Sequence, residues 1–182
     1  HARVFVLADA VGDAVGGWTP VEEYRDAARI AISITVNNAM IASDENAERL
    51  RAFLRELGAD SSDPRIAALV KIMIAFEPHT GSGFLDTLRA FAADEDRHLA
   101  VSALQWMSFV MENSGDPVGS LEAAEQALAR TDTSEGPWHR AILHTQVAQL
   151  SMQLGRREDA VVHARAALPV LERLGARDDT LQ

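Results

Sequence analysis

The chain has no cysteine in its 182 residues, which excludes disulfides, thiolate nucleophiles and Cys-based zinc sites together. It has no apolar run near the ~20 residues that cross a bilayer. It also lacks a leader with a basic start and a small-residue cleavage site, so a cytoplasmic location with no membrane partner is the expectation. Lysine is almost missing: among 17 basic residues only Lys71 is a lysine, and with the abundant alanine this points to a GC-rich genome. The net charge of −10 argues against direct contact with nucleic acid, because phosphate binding depends on clustered Lys and Arg. No G-x-x-x-x-G-K-[ST] occurs. Gly12-Asp13-Ala14-Val15-Gly16-Gly17 has neither the lysine nor the spacing of a phosphate cradle and reads as a helix-ending turn. No segment shows the turn-bounded alternation of a hairpin sheet. Because the chain begins with His1 rather than Met, it is expected to be a piece of something longer.

What is present is helix. The segment 138–175 reads as two helices around one turn, Leu154-Gly155-Arg156-Arg157. Ile142, Val147, Ala148 and Leu150 lie on one side of the first helix, and Ala160, Ala164, Ala167, Leu168 and Leu171 on one side of the second, at amphipathic spacing. Small alanines let the two backbones approach. Gly155 stands where a left-handed backbone favours a residue without a β-carbon.

The rest of the chain follows the same grammar. Residues 1–14 suggest an Ala-rich helix ended by Gly16-Gly17. Thr19-Pro20-Val21-Glu22 suggests a capping box with Pro at the first helical position, opening a helix to about Ile41. Ile30 to Val36 alternates with period two and competes as a strand, but the cap and the length favour helix. Ser43-Asp44-Glu45 opens the next helix and Gly58 closes it. Asp63-Pro64 starts another, which ends near Phe76 and Pro78. Residues 78–83 read as a loop, 84–92 as a short helix and 94–112 as a longer one. Asn113-Ser114-Gly115 is a turn, after which Asp116-Pro117 caps a helix to Ala129.

Gly115 and Gly155 are forty positions apart, and the same shift superposes Ala124 on Ala164, Ala127 on Ala167 and Leu128 on Leu168. Two hairpins with matched turns imply stacking. The expected fold is therefore all-α, an α-solenoid of antiparallel helix hairpins. Residues 1–93 would be divergent hairpins of the array; 94–182 would hold two clear ones, 94–134 and 135–175, and a short polar tail.

These residues resemble the tetratricopeptide repeat. Counting from the turn glycine, the family's small residue is Ala160, its later Ala-Leu pair is Ala167-Leu168, and its first-helix small residue is Ala148, with Ser108 in the preceding repeat. Departures are Ser120 in place of alanine, His144 in place of a bulky residue, Pro169 inside the second helix, where a kink is expected, and a spacing of 40 against the usual 34. Asp96-Arg97-His98-Leu99-Ala100, Glu112-Asn113-Ser114-Gly115-Asp116, Gly136-Pro137-Trp138, Leu154-Gly155-Arg156 and Leu174-Gly175-Ala176-Arg177-Asp178-Asp179 follow in an order similar to the C-terminal region of actinobacterial AfsR/SARP-type regulators. The resemblance is fullest over 94–182 and weaker at Asp63-Pro64-Arg65. It implies a degenerate tetratricopeptide array with no cofactor of its own, serving as the sensor or interaction arm of a transcriptional regulator. In such a parent, DNA and ATP would be bound upstream, by a winged helix with a bacterial transcriptional-activation module and by a STAND-class ATPase. LuxR-type regulators carry similar arms and remain an alternative.

By the family's pattern the groove positions are Ser102, Gln105, Phe109, Glu112 and Asn113 in the first repeat, and Ile142, Thr145, Gln149, Met152 and Gln153 in the second. The resemblance thus implies a partner protein or peptide in the concave groove, other domains of the same chain included. Phe109 and Ile142 suit a core equally well, and Trp106 and Trp138 read as packing residues. Cut from its neighbours, the piece exposes apolar faces, so a homodimer is a further expectation. As for chemistry, Asp94-Glu95-Asp96-Arg97-His98 suits a helix start better than a metal site. His139 and His144 are five apart, not the four that aligns two imidazoles, and read as ordinary helix residues. Glu77 and His79 flank Pro78 with no nucleophile placed beside them. The alternative from another class is a small helical metal-binding enzyme using Glu77, His79 and His98.

Overall fold

The computed structural model describes residues 18–41, 46–76 and 82–175. Among these there are eight α-helices, two short 3-10 turns and no strand. The helices are α1 (Arg25–Ile41), α2 (Asn46–Leu57), α3 (Pro64–Ala75), α4 (Ser82–Ala92), α5 (Arg97–Asn113), α6 (Pro117–Arg130), α7 (Gly136–Gln153) and α8 (Arg157–Leu174). The chain divides into two compact units, His1–Phe84 and Leu85–Gln182. The expected helix over 1–14, the Gly12 to Gly17 turn, the Ser43 to Glu45 cap, Glu77, Pro78, His79 and residues 176–179 lie outside the described residues.

In the first unit α1, α2 and α3 pack on one another. The period-two run of α1 is helical because its β-branched residues divide between two sides. Ile32 and Val36 join Ala28 in the core, while Ile30 and Ile34 face outward. Leu50 and Leu54 of α2 and Ile72 and Met73 of α3 complete the core. Thr19 does not cap α1. Glu22–Tyr24 form a 3-10 turn, with the Tyr24 N–H bonded to the Val21 carbonyl, and the α-helix begins only at Arg25. Arg29, buried in α1, serves the far end of α2: its Nε donates to the Gly58 carbonyl at 2.9 Å and its Nη2 to that of Leu57 at 3.0 Å. A cation thus meets the carbonyls that a helix terminus leaves without partners. Asp63 caps α3 by accepting from the Arg65 N–H at 2.9 Å, with Pro64 in the first turn. The side-chain hydrogen bond from Arg65 is the main reason the Asp63 carboxyl is lowered to about 2.

In the second unit α5 packs on α6, α6 on α7 and α7 on α8. The turns joining α5 to α6 and α7 to α8 are the same backbone object forty residues apart. Asp116 N–H bonds Met111 O at 2.9 Å and Gly115 N–H bonds Glu112 O at 3.0 Å. Likewise, Arg156 N–H bonds Ser151 O at 2.8 Å and Gly155 N–H bonds Met152 O at 3.1 Å. This is the paired bonding of a Schellman helix end, which needs its glycine at positive φ; Gly115 has φ +84° and Gly155 +76°. The acid run 94–96 precedes the helix instead of opening it: α5 starts at Arg97, and Asp96 caps it by accepting from the His98 and Leu99 N–H groups. Pro169 does not break α8, which continues to Leu174. Ser82 and Gly83, expected in a loop, begin α4.

The core of this unit repeats with the sequence. Val101 and Leu104 of α5 meet Ala127 of α6 and Leu143 of α7. Leu121 and Ala124 meet Val147 and Leu150, and Ala141 meets Ala167 and Leu171. Lying between α6 and α8, α7 buries Ala141, Leu143, Val147, Ala148, Leu150 and Ser151 around much of its girth. By contrast, α8 buries only the stripe Ala160, Ala167 and Leu171.

Candidate functional site

The groove residues expected from the sequence fall on α5 and α7 and differ in what they do. Glu112 and Gln153 meet across the two helices, with Gln153 Nε2 donating to Glu112 Oε1 at 2.6 Å. Phe109, 42% exposed, stands edge-on to Trp106 at 5.9 Å, and Met152 is 55% exposed. Asn113 turns back to its own helix, donating to the Phe109 carbonyl. Thr145 does the same toward Ala141. Ser102, Gln105 and Gln149 are half-buried. Ile142 is half-buried, packed against the core cluster of Ala141, Ala167 and Leu171. Trp138, expected to pack, is 47% exposed. The structure therefore leaves Phe109, Asn113, Met152 and Gln153 open to solvent and holds Glu112 to Gln153 by a hydrogen bond.

Thr145, Gln149 and Met152 have a second role. With Val161, Ala164 and Leu168 of α8 they line a mostly apolar cleft of about 360 Å³. A second hollow of about 300 Å³ lies among α4, α5 and α6, where Arg89, Glu122 and Arg130 rim Leu104 and Met107. The Arg130 guanidinium there donates to the Ala92 carbonyl at 2.7 Å, holding α6 to the end of α4.

The junction between the two hairpins carries a charge cluster that sequence reading missed. Glu135, in the 3-10 turn just ahead of α7, has a side chain only 3% exposed. His98 Nδ1 of α5 lies 2.6 Å from its Oε1, at ion-pairing distance without the alignment of a hydrogen bond. Arg97 Nη1 lies 3.9 Å from the same oxygen and 2.7 Å from Asp132 Oδ2. His139, one helical turn into α7, approaches Glu135 Oε2 at 3.9 Å. Hydrogen bonds from Ser134 first, and then from Arg97, hold the Asp132 carboxyl at about 2. Burial pushes the His139 imidazole below its ordinary 6.5, against the pull of Glu135. A second histidine pair, His144 Nδ1 and His163 Nδ1, meets at 3.0 Å between α7 and α8. Burial again, followed by His163 and Arg140, lowers His144.

His139 and His144 are thus partnered, each through a different contact. His98, weighed as a metal ligand, is engaged with Glu135. Among the described residues no group of three or more His, Cys, Asp or Glu side chains is arranged to hold a metal ion, and no helix is long and apolar enough to cross a membrane. Comparison with protein-family models, curated proteins and solved structures gave no match.

Proposed function

We propose that the second unit is a non-catalytic interaction arm of a larger regulator and takes a partner protein or peptide along the face shared by α5 and α7. The observation that carries this reading is the face itself. Phe109 and Met152 expose apolar area beside Asn113 and Gln153, and the Gln153–Glu112 hydrogen bond fixes the two helices side by side. An exposed aromatic among amides is suited to a largely uncharged peptide, since it offers apolar area and backbone-matching hydrogen bonds together. The buried Glu135 carboxylate meets His98 of α5, and Arg97 of α5 pairs with Asp132, so these groups are taken up in holding the hairpins. The resemblance to degenerate tetratricopeptide arrays, with the parent's ATPase and DNA-binding parts upstream, is part of the same proposal.

The test is a pair of substitutions in the full-length protein. Gln105→Arg and Gln149→Arg should retain helix content by circular dichroism and change the parent's response to its effector or partner. Two folded variants with unchanged response would overturn the assignment of this face.

A further inference from the structure

The cleft on α8 is the unfilled counterpart of a seat that is filled one hairpin earlier. On α6, Leu121, Ala124 and Leu128 receive Leu143, Val147 and Leu150 of α7. Forty positions on, the equivalents are Val161, Ala164 and Leu168, and all three line the open cleft. Val161 is 44% and Leu168 43% exposed, whereas Leu121 is 2% exposed and Ala124 fully buried. The α7 side of the cleft obeys the same shift: Ala148 and Met152 stand where the filled seat has Ser108 and Glu112.

The polar contacts of the filled seat show what differs in the open one. Ser108 accepts from Gln146 at 2.8 Å, Glu112 accepts from Gln153, and Glu125 pairs with Arg156 at 3.3 Å. Their equivalents in the cleft are Ala148, Met152 and Arg165. Two acceptors have become apolar and one acid has become a base.

We infer that the cleft docks one amphipathic α-helix of a partner protein, with apolar residues at i, i+3, i+4, i+7 and i+10 and, just past the turn that ends this helix, a carboxylate at i+13 against Arg165. The first, third and fourth of these correspond to Leu143, Val147 and Leu150, the second and fifth to Gln146 and Gln153, and the last to Arg156. The first four form one helical stripe, which is how an amphipathic helix fills an apolar groove. The carboxylate sets orientation more than affinity. This inference concerns α8 and stands apart from the α5 side of the proposed peptide face, so the two can fail separately.

The probe is a labelled synthetic peptide of residues 138–158 carrying Gln146→Leu, Gln153→Leu and Arg156→Glu, titrated with the whole chain and read by fluorescence anisotropy. Binding should saturate, and Leu168→Glu should weaken it about ten-fold or more, since a charge would be buried against the apolar stripe. Arg165→Glu should weaken the same peptide and tighten the version that keeps Arg156. Both substitutions are at exposed positions, and circular dichroism verifies that the variants fold. Absent binding, or binding indifferent to Leu168→Glu and Arg165→Glu, overturns the inference. It is also overturned if light scattering shows a dimer that Val161→Glu dissociates, because a second copy then covers the face.

Discussion

Ser108 and Ser120 face one another across the α5–α6 hairpin, their hydroxyls 3.0 Å apart and fully buried. Ser120 also donates to the Ser108 carbonyl at 2.8 Å, and Gln146 of α7 donates to the Ser108 hydroxyl at 2.8 Å. The donor order therefore runs from Gln146 to Ser108 to Ser120 and back to the α5 backbone. Forty residues later the same two positions are Ala148 and Ala160, which are buried without polar atoms. Ser120→Ala or Ser108→Ala should each cost about 1–2 kcal/mol, because each leaves the other hydroxyl short of a partner. The double substitution should cost less than the two added. Urea denaturation of the four proteins of the cycle measures this, and strict additivity would contradict the chain of bonds.

Acid should weaken the second unit through its histidines. His139 and His144 both sit below their ordinary 6.5, chiefly through burial. The unfolded chain then takes up protons first as pH falls. Stability is full above about pH 6.5, drains away as pH drops toward the folded-state values, and levels off below them. Midpoints of urea denaturation measured from neutral to acid pH should follow this course. His139→Gln with His144→Gln should flatten it, and an undiminished slope in the double variant would refute the assignment.

Glycine substitutions should separate backbone demand from crowding. A β-carbon at Gly155 would meet nothing within 4 Å, so Gly155→Val tests the positive φ alone and should cost roughly 1 kcal/mol or more. Gly119 lies inside α6, where alanine normally stabilises by up to about 1 kcal/mol. There a β-carbon would sit 2.4 Å from Asp116 Oδ2, and the Asp116 carboxylate accepts from the Gly119 N–H as the helix cap. Gly119→Ala should bring no gain in melting temperature, because the displaced cap offsets the better propensity.

In the first unit, Arg29→Met keeps the aliphatic stem and removes the guanidinium that serves Leu57, Gly58 and Asp26. The cost should be about 2–3 kcal/mol, since charged hydrogen bonds at a helix end are lost together. Thermal melting followed by circular dichroism reads this directly. An unchanged melt would mean water replaces the guanidinium freely.

Local chemistry was legible in the sequence, and contacts between hairpins were not. Asp63 and Asp116 announce their caps because the partner N–H groups lie two or three residues away, whereas Asp96 was hidden in an acid run expected to lie inside the helix. Gly115 and Gly155 announce their turns because positive φ has few other occupants. Thr19 misled because a good capping pattern was drawn into a 3-10 turn. Ser108 passed as the repeat's small residue and Ser120 stood as a departure from it, and their pairing explains why a serine is at home in both places. His98 and Glu135 are 37 positions apart, and nothing in either one's neighbourhood foretells that α7 enters beside the start of α5. Trp138 was expected to be a packing residue; at the first turn of α7 it stays half-exposed at the surface. Among the residues expected in a groove, Ile142 packs half-buried against the core cluster of Ala141, Ala167 and Leu171, a contact with α8 that its own neighbourhood in the sequence does not foretell.

The paired Schellman turns also bear on how the second unit is reached from the unfolded chain. Each hairpin closes over a three-residue connection using backbone groups that are at most five residues apart. Such loops form in well under a microsecond to microseconds, and contacts so close in sequence favour rapid folding. The slower step is then the seating of one hairpin on the other, where Gln146 must find Ser108 and His98 must reach Glu135. Substitutions at those four residues should leave the early helix signal untouched and retard only its final fraction.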